Sequence, residues 1–187
     1  MTKRKWIYAG LAGALGLPLL LGVTAFSRLS DDGLNGVHSS IELSIPEVAH
    51  ISGAQFAAID PASMIVFDTR EQDEFAVSHL PGAIRIAPDM PAEEFLAQFG
   101  RLAKGKRIVF YCSVGARSTQ YAATVQDALK AQGAAEIVNL ERGLFGWHNE
   151  GRPLVNQRGE ATEAIHPYDD YWGQLIEREQ LISKLPE

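Results

Sequence analysis

Tyr111-Cys112-Ser113-Val114-Gly115-Ala116-Arg117-Ser118 places a thiol, a glycine and a guanidinium within eight residues. Cys112 is the one cysteine of the chain. An apolar run, Arg107 to Tyr111, leads into it, and a run with helical spacing, Ser118 to Gln132, leads out. The pattern places Cys112 at the carboxyl end of a strand, in the turn that opens a helix. Open α/β sheets carry their chemistry at such turns. The first N–H groups of a helix lack intrahelical acceptors and face any anion held there. Those groups and the helix dipole favour a thiolate, which is the nucleophilic form of cysteine. Arg117 adds a permanent charge on a planar fork suited to oxyanions. Most lone cysteines are buried and inert. Three features set this one apart: its turn, the freedom of Gly115 to adopt φ > 0, and the Cys-x4-Arg spacing.

Short apolar runs alternating with amphipathic runs must position that loop. Strands are expected at Glu47–Ile51, Met64–Phe67 leading to Asp68, Ala83–Ala87, Arg107–Tyr111 and Glu136–Leu140. Ser52 is a natural cap for a short helix from Gly53 to Ile59. Further helices are expected at Glu71–Val77, from Pro91 to about Phe99, and at Gly143–Asn149. Glu93 and Glu94 suit the start of the Pro91 helix. In the Ser118–Gln132 helix Tyr121, Val125, Ala128 and Leu129 share a face, and Gly133 ends it. This alternation predicts an α/β domain with a mainly parallel sheet covered by helices on both faces.

Four segments resemble, in order, those of the rhodanese (sulfurtransferase) family. They are Phe67-Asp68-Thr69-Arg70-Glu71 with Glu74-Phe75, Ser78-His79-Leu80-Pro81-Gly82-Ala83-Ile84, the Cys112 loop, and Arg142-Gly143 through Trp147 to Gly151-Arg152-Pro153-Leu154. Ser78 stands where glycine is usual in the family. The resemblance covers roughly 45–155 and implies a rhodanese-like three-layer domain. It further implies sulfur transfer, in which Cys112 takes sulfane sulfur from a donor such as thiosulfate or a polysulfide and passes it to a thiol or cyanide. Catalysis would fall to Cys112 and Arg117, with Ser113, Val114, Gly115, Ala116 and Ser118 forming the substrate-binding loop. No cofactor and no metal is implied. Asp68 is expected either to orient loop amides or to cap a helix. Arg70 belongs to the rim of the site or to an ion pair; read without the family, it would pair with Glu71 or Glu74 at the surface. Arg85 either adds charge near the pocket or points outward. His79 is expected in a structural loop and Trp147 in the core. The loop carries no charge besides Arg117, whereas thiosulfate-preferring members often carry more basic residues there. This points to a persulfide or polysulfide as the natural donor.

The composition excludes several classes. The 187 residues carry 17 basic and 23 acidic side chains and a formal net charge of −6, which argues against a nucleic-acid partner. One cysteine allows no internal disulfide and no cysteine-based zinc site. A hydrophobic content of 46% fits a globular core. Lys3-Arg4-Lys5 followed by an uncharged run over 6–27 has the order of a signal or anchor. As a helix that run would be about 33 Å long, enough to cross a bilayer. An uncleaved anchor and cleavage near Ala25 both fit, and the length of the run favours the anchor. Either places the domain outside the cytoplasm, in the periplasm if the cell is bacterial. Membrane contact would come only through an uncleaved segment.

The expected division is 1–27 signal peptide or transmembrane anchor, 28–45 linker, 46–156 rhodanese-like domain and 157–187 C-terminal helical extension. Tyr171, Trp172, Leu175, Ile176, Ile182 and Leu185 suggest an apolar helix face in the extension. It is expected to pack on the domain, or else to present a surface for a partner such as a protein acceptor. Three other functional classes are weighed. A phosphatase or arsenate reductase needs five residues between Cys and Arg; here there are four. A non-catalytic binding module usually loses the cysteine. A thiol redox sensor would need a partner thiol.

Overall fold

The computed structural model describes residues 33–186. The uncharged run over 6–27, with its expected role as signal or anchor, lies outside the described residues. Among the described residues no helix is long and apolar enough to cross a membrane.

In chain order the elements are α1 (Gly33–Ser44), β1 (Ala49–Ile51), α2 (Gly53–Ala57), β2 (Met64–Asp68), α3 (Gln72–Val77), β3 (Ile84–Arg85) and α4 (Ala92–Phe99). Then follow β4 (Arg107–Tyr111), α5 (Ala116–Ala131), β5 (Glu136–Leu140), α6 (Gly143–Asn149), β6 (Leu154–Val155) and β7 (Ala161–Thr162). The first five strands form one parallel sheet in the order β1-β5-β4-β2-β3. β4, which feeds the cysteine loop, is therefore central. Asp68 pairs with Tyr111, and Phe110 with Asn139, so the carboxyl ends of β2, β4 and β5 lie side by side.

Both faces of the sheet are buried, which is why its strands read as continuous apolar runs. Phe67, Ile108, Phe110 and Ile137 pack with Phe95 of α4 and with Tyr121, Val125 and Leu129 of α5. Edge-to-face ring pairs, Phe67–Phe95 at 4.9 Å and Phe95–Tyr121 at 5.5 Å, lock this layer. Alternation puts the buried Val66, Val109 and Val138 on the opposite face. Elsewhere Phe56 of α2 meets Trp147 of α6 at 5.2 Å. Trp147 is buried, and its Nε1 donates to the carbonyl of Pro153 at 2.9 Å. Ser52 caps α2 with a full capping box closed by Gln55.

Two stretches differ from the sequence reading. Residues 28–45 read as an irregular linker, but Gly33–Ser44 form α1. Leu34, Val37 and Ile41 recur at helical spacing, and Leu34 and Val37 are buried. Burial of that stripe outweighs the poor helix propensity of the surrounding Gly, Ser and Asn residues. The expected helical extension over 157–187 contains no α-helix among its described residues. It supplies β7, which pairs with β6 of the preceding domain, and two 3₁₀ turns, Trp172–Leu175 and Glu179–Leu181. Asp169 accepts the N–H groups of both Tyr171 and Trp172, which fixes a turn where a helix would start. The tail is anchored all the same. Ile165 exchanges hydrogen bonds with Leu181 and Ser183 at 3.0 Å each, and Asn149 holds the backbone at Leu175 and Glu177.

Candidate active site

β4 ends at Tyr111, and the chain turns through Cys112–Gly115 into α5. Gly115 makes this turn with φ 101°, a conformation that a side chain disfavours. The N–H of Gly115 donates to Cys112 Sγ at 3.2 Å. The carbonyl of Gly115 accepts the side chains of Ser118 (3.1 Å) and Thr119 (2.7 Å) together with the Thr119 N–H (3.0 Å). Ser118 thus serves the loop's own shape.

The first turn of α6 supports the loop from behind. The N–H groups of Leu144 and Phe145 donate to the carbonyls of Cys112 and Ser113 at 2.8 and 2.9 Å. Across a planar trans peptide the C=O and the following N–H point oppositely. The N–H groups of Ser113 and Val114 are therefore turned away from α6. Those of Ala116, Arg117 and Ser118 open α5 and have no intrahelical acceptor. Gly143 makes the approach possible. A Cβ there would lie 2.4 Å from the Cys112 carbonyl oxygen, 2.7 Å from that of Ser113 and 2.8 Å from Gly115 N.

Arg117 does not present a free fork. Its Nη1 and Nη2 each donate to Glu74 at 3.0 Å, and Nη2 also donates to Ser113 Oγ at 3.1 Å. Glu74, almost wholly buried, further accepts Ser113 Oγ at 2.6 Å and the Glu71 N–H at 3.0 Å. One carboxylate thus ties the start of α3 to the cysteine loop and to the first turn of α5. Burial alone would raise the Glu74 pKa, but the hydrogen bond and charge of Arg117, with Arg70 and Ser113, hold it below the usual carboxylate range. Burial alone would lower the Arg117 pKa, but the negative charges of Cys112 and Glu74 outweigh it and raise it. The pair is ionised at neutral pH.

Asp68 and Arg70 form a second, buried pair. Arg70 Nε donates to both Asp68 oxygens at 2.9 and 3.1 Å, Nη2 donates to Oδ2 at 2.7 Å, and Nη2 also donates to the Ser78 carbonyl at 2.7 Å. Both side chains are fully buried. Asp68 also accepts one loop amide, the Arg70 N–H at 3.0 Å, and caps no helix. Arg70 forms the ion pair expected as one alternative and lies neither at the rim nor in a surface pair with Glu71 or Glu74. Such a bidentate pair suits the planar guanidinium. Burial presses the Arg70 pKa down, and Asp68 more than restores it. Arg85 Nη1 donates to the Arg70 carbonyl at 3.2 Å. His79 stacks on Phe75 at 3.7 Å with Nδ1 2.9 Å from the Phe75 carbonyl, so its role is structural.

The structure thus brings Cys112, Ser113, Val114, Gly115, Ala116 and Arg117 together, and sets Asp68 and Arg70 apart as support. Three residues at the site received no role from the sequence. Glu74 stands in one of the family-like segments and three residues after Glu71, but neither says that it holds Arg117. Gly143 opens a family-like segment and an expected helix, but nothing local says that it lies against the cysteine loop. Tyr168, 51 positions beyond Arg117, lies under the Arg117 guanidinium at 4.8 Å from the ring centre. Among the described residues no cluster of His, Cys, Asp or Glu could hold a metal ion.

Residues 54–150 match the rhodanese-like domain family. The chain belongs to that family. A rhodanese-like domain is thus set between α1 and a C-terminal tail that lie outside the matched residues. Over 100 residues the chain is 29% identical to a sulfurtransferase of Allochromatium vinosum, covering 54% of this chain and 86% of that protein. Over 126 residues it is 29% identical to arsenate reductase 2.2 of Oryza sativa subsp. japonica, covering 63% and 95%. Among solved structures it is similar to thiosulfate sulfurtransferase from Pseudomonas aeruginosa, with TM-score 0.49 and 22% identity over 64% of this chain and 22% of that one.

Proposed function

We propose that this rhodanese-like domain is a sulfurtransferase working through a Cys112 persulfide. The observation that carries this reading is the Gly115 N–H donating to Cys112 Sγ at 3.2 Å, in a loop whose carbonyls are turned onto α6. The other loop amides, not drawn onto α6, would suit a developing anion at the sulfur. With thiosulfate, the Cys112 thiolate attacks the outer sulfur, the S–S bond to the sulfonate sulfur breaks, and sulfite leaves with the bonding electron pair. The persulfide so formed carries one negative charge, which the Gly115 amide and its neighbours hold. Cyanide or a thiolate then attacks the outer sulfur, the persulfide S–S bond breaks, and the Cys112 thiolate returns. Splitting one transfer into two displacements is nucleophilic catalysis. Arg117, tied to Glu74 and Ser113, holds the loop in shape and supplies its positive potential. We further propose that the domain works outside the cytoplasm, tethered by residues 6–27, on the strength of the basic cluster that precedes them.

The test is thiocyanate formation from thiosulfate or polysulfide with cyanide, for the native protein and Cys112→Ser. The serine variant is expected to keep the thermal midpoint and lose all transfer. Transfer retained in Cys112→Ser rules the mechanism out.

The similarity to a rice protein named arsenate reductase 2.2 favours a second reading. Against it, only four residues separate Cys112 from Arg117, and both terminal nitrogens of Arg117 are engaged by Glu74. Arsenate with a thiol reductant is expected to give no turnover; thiol consumption dependent on arsenate and Cys112 would favour the reductase.

A further inference from the structure

Tyr168 sits in the tail, beyond the residues that match the family, yet it reaches Arg117 of the cysteine loop. Its ring takes one face of the Arg117 guanidinium at 4.8 Å. It adopts φ 66°, a left-handed conformation that bulky residues rarely accept and that is held here by surrounding structure. The Tyr168 N–H donates to Nδ1 of the buried His166 at 3.0 Å, and Ile165 is fixed between Leu181 and Ser183. The ring is about half exposed, 46%, so it forms part of the rim.

Resting on the sulfur-transfer reading, we propose that Tyr168 sets the donor class of the site, favouring an organic persulfide over thiosulfate. Arg117 is the one basic side chain of the cysteine loop, and Glu74 takes both its terminal nitrogens while Tyr168 takes a face. A dianion seeking that charge meets a π face, which is electron-rich and repels it. An alkyl or aryl group attached to a sulfane sulfur meets the same ring as an apolar wall and buries area against it. In this reaction the Cys112 thiolate attacks the terminal sulfur of a hydropersulfide, R–S–S–H. The S–S bond breaks, R–S⁻ leaves with the electron pair, and the terminal sulfur with its proton remains on Cys112. No oxidant or further reactant is needed.

The experiment compares kcat/KM for thiosulfate and for an alkyl hydropersulfide, with cyanide as the common acceptor. Tyr168→Gly removes the ring and relieves the left-handed strain, so it is expected to fold. Tyr168→Phe keeps the ring. The thiosulfate-to-persulfide ratio should rise about tenfold in Tyr168→Gly, chiefly through opposite changes in the two KM values, and stay within twofold of native in Tyr168→Phe. A ratio unchanged in Tyr168→Gly, with Cys112 persulfide still formed, overturns this inference and leaves the sulfur-transfer reading standing. A native protein that gains sulfur from neither donor overturns both.

Discussion

Replacing Gly143 by alanine tests whether α6 shapes the cysteine loop. The added Cβ would sit 2.4, 2.7 and 2.8 Å from the Cys112 and Ser113 carbonyl oxygens and Gly115 N, all backbone atoms. No side chain can swing aside to relieve this. The position also has φ 55°, which disfavours a side chain by about 1–2 kcal/mol. Forcing the overlap adds about 1–3 kcal/mol. Together they predict a destabilisation of roughly 2–5 kcal/mol. The strain would be relieved by pushing the loop off α6, breaking the two hydrogen bonds that fix the Cys112 and Ser113 carbonyls. A displacement near 1 Å at the nucleophile lowers rate by about 100-fold. Gly151→Ala is the matched control, because Gly151 has φ 67° with nothing within 4 Å of an added Cβ. It should lose only the backbone share, about 1–2 kcal/mol, and keep its activity. Denaturant midpoints give the stabilities, and thiocyanate formation gives the rates. Equal losses for the two variants in both assays would refute the idea that close backbone contact at Gly143 shapes the loop.

Asp68→Asn removes the counter-charge of a fully buried arginine and should destabilise by about 3–5 kcal/mol, read from the denaturant midpoint. A loss under about 1 kcal/mol would show that the pair does not support the sheet end. Burial lowers the pKa of His50, His79, His148 and His166 from the ordinary histidine range. Each therefore binds its proton more readily in the unfolded chain, so stability is full above about pH 6.5 and falls as pH drops below it. The thermal midpoint should fall between about pH 7.5 and about pH 5.5; an unchanged or higher midpoint at the acid end would contradict the assignment.

Local pattern revealed the parts of the fold that depend on local pattern. β4, β5 and α6 fall where the apolar runs and the glycines place them, because a buried parallel strand is one unbroken apolar run between turns. The turn holding Cys112 was legible for the same reason. What the sequence hid were partnerships across the chain. Asp68 and Arg70 are two residues apart, yet nothing local says that they turn inward together as a buried pair. Glu74 reads as an exposed helix residue and is instead the ion that ties the Cys112 loop to α5. The Arg117 fork looked free because its partner is 43 positions away. α1 was hidden by its Gly, Ser and Asn content, which burial of Leu34 and Val37 overrides. In the tail the apolar residues do not make one buried face: Ile176 is buried, while Tyr171 and Leu185 are exposed.

The most direct test of the central claim is the intact mass of the protein after incubation with thiosulfate or an organic persulfide, followed by cyanide. The account predicts a gain of one sulfur atom, mapped to the Cys112 peptide, and its loss with equivalent formation of thiocyanate. A Cys112 that gains no sulfur from either donor would contradict it.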